Sequence, residues 1–82
     1  MKAHVIRRAV LKTLRDNGRV PMDLEEIQDA LGYKPEVVEA QVISLQTLGY
    51  VDNVNNAAMP LYRISASGLT QIERNTTELD QN

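Results

Sequence analysis

The sequence predicts a mainly helical α+β domain with one small β-hairpin, and three observations predict it. Residues 3–17, 24–31 and 35–48 repeat apolar side chains at helical spacing. In Leu45-Gln46-Thr47-Leu48-Gly49-Tyr50-Val51, a helix ends at a glycine and a strand starts at once. A polar loop then separates that strand from a second, Leu61 to Ile64, and Ser65-Ala66-Ser67-Gly68 opens a last helix.

Helix 1 is expected over residues 3–17. At about 100° per residue, Ala3, Ile6, Ala9, Val10, Thr13 and Leu14 share one face. His4, Arg8, Lys12 and Arg15 gather on the opposite one, with Arg7 nearby. Asn17-Gly18 stops the helix, because glycine accepts the left-handed conformation beyond a C-cap. Arg19-Val20-Pro21-Met22 is extended, since a proline pushes the residue before it out of the helical region.

Asp23-Leu24-Glu25-Glu26 reads as a capping box, with Asp23 accepting from the backbone and Glu26 reaching back. Leu24, Ile27 and Leu31 form the stripe of a short helix 2, which Gly32 ends. Pro35 suits the first position of helix 3, where its missing N–H costs nothing. Lys34 before it is a poor cap, having no acceptor oxygen. Helix 3 runs over residues 35–48, with Val37, Val38, Val42, Leu45 and Leu48 inward. Gln41 falls among them, where an aliphatic side chain would be the plainer choice. Two strands, 50–54 and 61–64, flank a hairpin loop at 55–60. Helix 4 starts at Ser65 or Ser67, points Leu69 and Ile72 inward and ends near Asn75. The domain is therefore residues 1–75, and 76–82 is a polar tail expected to be disordered.

Composition bounds the function. Eighty-two residues make one domain near the lower limit for a self-supporting core. With no Trp, no Phe and three Tyr, that core is aliphatic, and so small a core makes oligomerisation reasonable to expect. There is no cysteine, hence no disulfide and no thiolate metal site. No apolar run matches a membrane span, and Met1-Lys2-Ala3-His4-Val5-Ile6-Arg7-Arg8 is not a secretory signal. A cytoplasmic protein is expected, in which the glycosylation pattern Asn75-Thr76-Thr77 is chance. His4 is the one histidine and has no partner at ligand spacing. No phosphate-cradling loop, nucleophile elbow or zinc pattern is present, and Asp23, Glu25, Glu26 and Asp29 read as the wet side of helix 2. No enzyme, cofactor or metal site is expected.

Net charge is −2, but unevenly spread: +5 over residues 1–22, −6 over 23–52 and −1 over 53–82. The stripe His4, Arg8, Lys12, Arg15, with Arg7 and Arg19, has three readings. It contacts phosphates, it meets the acidic surface of helices 2 and 3 on another subunit, or it is a solvated face. Six cations in twenty-two residues favour a partner.

Asp23 to Gly32, Pro35 to Val51 and Tyr62 to Gly68, in register together, resemble the winged helix-turn-helix domain of bacterial transcription regulators of the MarR and PadR types. The resemblance spans residues 1–75 and bears on fold more than on function. It implies the order helix–strand–helix–helix–strand–wing–strand–helix, with a short first strand at 19–22. It also implies that the chain binds double-stranded DNA, as a homodimer, with helix 3 in the major groove. Helix 3 then presents Glu36, Glu39, Ala40, Ile43 and Thr47, flanked by Ser44 and Gln46. This set has no Arg or Lys, and carboxylates repel the phosphates that dominate DNA affinity. Glu39 can still accept from a cytosine amino group, and Ala40 or Ile43 can pack on a thymine methyl. The plainer reading makes Glu36 and Glu39 solvated charges near a helix N-terminus.

Lys34 and Arg19 would meet phosphates, as would the backbone N–H groups that open helix 2. The wing tip, Asn55 to Met59, carries no cation. Asn55 and Asn56 either read minor-groove acceptors or serve as turn residues. In family-like dimers helix 1 lies at the dimer contact, which would put Leu11 at an interface. The alternative function is a protein-interaction module using the Glu36, Glu39, Ala40, Ile43 face. A third reading is an accessory domain whose helix 1 is clamped to an acidic partner.

Overall fold

The computed structural model describes residues 2–18 and 20–74. Four helices, α1 (Ala3–Asp16), α2 (Leu24–Leu31), α3 (Pro35–Thr47) and α4 (Ala66–Glu73), surround one aliphatic core. Strands β1 (Val51–Asn53) and β2 (Tyr62–Ile64) pair antiparallel, Val51 opposite Ile64 and Asn53 opposite Tyr62. The chain is thus mainly α with a two-stranded hairpin, as expected.

The caps explain the helix bounds. Asp23 accepts from the Glu26 amide at 2.8 Å, and the Asp23 amide donates to Glu26 Oε1 at 3.0 Å, closing the expected box. Gly32 ends α2 in the left-handed region at φ 75°. Lys34 provides no side-chain cap to α3, again as expected. Ser65, rather than Ser67, caps α4 by accepting from the Gly68 amide at 3.0 Å.

Helix α1 is the hub, packing against α2, α3, α4 and β2. Ile6, Val10, Leu11 and Leu14 are buried there against Ile27, Val38, Val42, Leu45, Val51, Ile64 and Ile72. Leu11 is 0 % exposed, which corrects its expected place at an interface. A helix enclosed by three others buries a wider arc than one amphipathic stripe, and Leu11 lies on that added arc. Ala3, expected inward, is exposed at the first position of α1.

Two further leucines depart from expectation. Leu48 is 53 % exposed, because it caps α3 about 90° around the axis from the Val38, Val42, Leu45 stripe. Leu69 is 36 % exposed, while Gly68, Gln71 and Ile72 take the inward positions of α4.

The expected first strand is not seen among the described residues. In its place Met22 forms a single antiparallel bridge with Tyr62, through bonds of 2.9 and 2.8 Å. Pro21 carries no N–H to extend the ladder, and Val20 is exposed. Arg19, Asn75 and the polar tail at 76–82 lie outside the described residues.

Candidate nucleic-acid interface

Three residues, Gly32-Tyr33-Lys34, connect α2 to α3. The Lys34 carbonyl accepts from the amides of Val37 and Val38, both at 3.1 Å, so α3 starts at once. With Val38, Val42 and Leu45 buried, the opposite side of α3 faces outward. Glu36, Glu39, Ala40, Ile43 and Thr47 are all exposed, Ile43 by 52 %. Gln46 is exposed and Ser44 half-buried. The outward row is therefore the one expected, and it is neutral to acidic. Thr47 donates its hydroxyl to the Ile43 carbonyl at 3.0 Å, within its own helix. Gln41 is half-buried, and its Oε1 is enclosed with no hydrogen-bond partner.

Glu39 is coupled to the hairpin. The Tyr62 phenol is pushed above its usual value, first by burial and then by the Glu39 carboxylate. One acid of the outward row thus acts electrostatically on the strand that Met22 bridges.

The start of α2 is less open to a phosphate than its position suggests. The Glu26 amide is already taken by Asp23, and the Asp23 amide by Glu26. Two carboxylates therefore stand where a phosphate would bind. Lys34 is exposed at the head of α3.

The loop between β1 and β2 uses its asparagines internally. Asn53 Oδ1 accepts from the amides of Asn55 at 3.0 Å and Leu61 at 3.2 Å. Asn55 Nδ2 donates to the Met59 carbonyl at 2.6 Å, and Asn56 Oδ1 accepts from the Met59 amide at 2.8 Å. Asn55 and Asn56 shape the loop, although both are exposed at its tip. Met59 is 71 % exposed beside Leu24, Pro60 and Leu61, which with Asp23 and Asn55 line an apolar notch of about 280 Å³. Sequence reasoning missed this notch; its signal was the apolar run Met59-Pro60-Leu61 after a polar loop.

The structure gathers the expected basic stripe into one groove. His4, Arg8, Lys12 and Arg15 line an open groove of about 650 Å³ with Val5, Ala9 and Ile72. Lys12 is exposed; the other three stripe residues are half-buried. Arg15 Nε bonds Asp16 Oδ1 at 3.2 Å. The lining comes from α1 and α4, and no residue of α3 belongs to it. The basic groove and the outward row of α3 are separate surfaces. Arg15 also borders a second depression, of about 350 Å³, with Asp52, Arg63 and Leu69. Asp52 and Arg63 stand opposite each other across the hairpin.

Among the described residues no cluster of His, Asp or Glu could hold a metal ion, and no helix is long and apolar enough to cross a membrane. No protein-family model and no curated protein matches the chain.

Proposed function

We propose that the domain is a winged helix-turn-helix that binds double-stranded DNA as a cytoplasmic transcriptional regulator, with α3 in the major groove. The observation that carries this reading is the short turn that sets α3 against α2 while leaving its whole outer row exposed. The hairpin after α3, tied to Met22 by a one-residue bridge, supports it as a wing. In this reading Glu39 accepts from a cytosine amino group, and Ala40 and Ile43 pack on thymine methyls. Glu36 and Thr47 border those contacts. Lys34 and Arg19 meet phosphates, and Asn55 and Asn56 hold the wing loop in shape.

Because α3 lacks cations and only Lys34 and Arg19 would neutralise phosphates, affinity is expected to be low and its salt dependence shallow. A duplex pool titrated at low salt, read by mobility shift, tests the reading. The expected result is a shift that weakens as salt rises and strengthens in Glu36→Lys with Glu39→Lys. No shift at low salt with any duplex overturns it.

A second reading rests on Ile43, an exposed apolar side chain bordered by Glu36, Glu39 and Ala40. That face would dock a protein partner. Reversing both glutamates then weakens the contact, and Ile43→Ser abolishes it.

A further inference from the structure

We propose that the basic groove along α1 receives the acidic outer face of α2 from a second copy of this chain, so that copies associate. The two surfaces match in sign, spacing and length. His4, Arg8, Lys12 and Arg15 line the groove, and α2 carries Glu25, Glu26 and Asp29 and no cation. In the groove, Arg8 and Lys12 stand one helical turn apart, and the row from His4 to Arg15 spans about 16 Å. On α2, Glu25 and Asp29 also stand one turn apart, exposed on the arc away from buried Ile27, within a helix about 12 Å long. A helix of that length fits along the groove.

The charges of Lys12, Glu25 and Asp29 are also available. Glu26 is engaged in the capping box, which leaves Glu25 and Asp29 as the outward acids of α2. Among the described residues no ion pair involves Lys12, Glu25 or Asp29. Val5, 42 % exposed, with Ala9 and Ile72 adds an apolar strip to the groove. One copy cannot make the contact with itself. Its α2 packs against α1 through the core, and no α2 residue lines the groove. The contact joins two different surfaces, so it is made either once per pair of copies, repeating into a larger array, or twice about a two-fold axis, closing as a reciprocal dimer. It does not depend on DNA binding.

Exposed ion pairs are individually weak and screened by salt. The test is therefore sedimentation of the full chain over a concentration series, at about 20 mM and about 500 mM salt. The expected mass rises with concentration at low salt to that of a dimer or beyond and falls to a monomer at high salt. Lys12→Glu and Asp29→Lys, both at exposed positions, should each weaken association about tenfold or more. An equimolar mixture of the two variants, or the double variant, should restore it. A monomer at every condition overturns the proposal, as does a closed dimer that ignores both reversals. Circular dichroism of each variant separates lost contact from lost fold.

Discussion

Gly68 packs so closely against the Tyr50 carbonyl that a Cβ at that position would collide with its oxygen and stand 2.7 Å from Ile64 Cγ1. The same carbonyl accepts the Ser65 amide at 3.0 Å, and the Ser65 hydroxyl donates to Gly49 at 2.6 Å. The first turn of α4 is thereby fastened to the turn that leaves α3. Gly68→Ala should destabilise the domain by about 1–3 kcal/mol, as other overpacking changes do. Ser67→Ala, one residue earlier and exposed, should change stability by less than about 0.5 kcal/mol. Urea denaturation of the two variants checks the contrast, and equal midpoints would refute the close approach.

Ser65 bridges the same junction through its side chain. Ser65→Ala removes the cap to Gly68 and the bond to Gly49 together, so it should cost about 1–2 kcal/mol. Thr is the informative control. It keeps the hydroxyl, and it should recover most of the loss in the same denaturation series.

Tyr62 makes stability depend on alkaline pH. Its folded pKa lies above its unfolded value of about 10, because burial and then Glu39 disfavour the phenolate. A group of this kind contributes its full stability below the unfolded value and loses it as pH rises through the folded one. Stability should therefore fall above about pH 10. Tyr62→Phe should flatten that fall. Glu39→Gln should move the Tyr62 titration, followed by phenolate absorbance, toward lower pH. A titration unmoved by Glu39→Gln would remove the coupling between α3 and the hairpin.

How much of this was legible in the sequence depends on how local each feature is. Caps are decided within four residues, so Asp23 with Glu26, Gly32 and Pro35 could be read directly. The outward row of α3 follows from periodicity, and Glu36, Glu39, Ala40, Ile43 and Thr47 are all exposed. Leu11, Leu48 and Leu69 were not legible, because burial at the edge of a stripe is decided by neighbouring helices. The first strand shrank to the Met22 bridge because an extended segment needs partner geometry as well as propensity. The internal bonds of Asn53, Asn55 and Asn56 depend on how the loop closes. The groove along α1 was half legible: its cations share a face, but Ile72 on the far wall comes from α4.

Leu11 separates core from interface. It is fully buried within the domain. Leu11→Ala should cost about 2–5 kcal/mol of unfolding free energy. While the variant remains folded, its association in sedimentation should match the parent chain. An interface leucine would show the reverse: near-parental thermal stability of the monomer and lost association.

Gln41 tests what an enclosed polar atom costs this small core. Its Oε1 lacks a hydrogen-bond partner on the inward side of α3, beside Val38, Val42 and Leu45. Burying such an acceptor unpaired costs about 1–3 kcal/mol, whereas an apolar side chain of similar size carries no such penalty. Gln41→Leu should therefore stabilise the domain by about 1 kcal/mol or more. It adds no charge to the outward row, so any DNA binding by α3 should keep its affinity and salt dependence. A stabilised variant with weakened binding would instead assign Gln41 to the functional surface. A destabilised one would mean that its amide finds a partner in solution, and that the enclosed oxygen is satisfied by water.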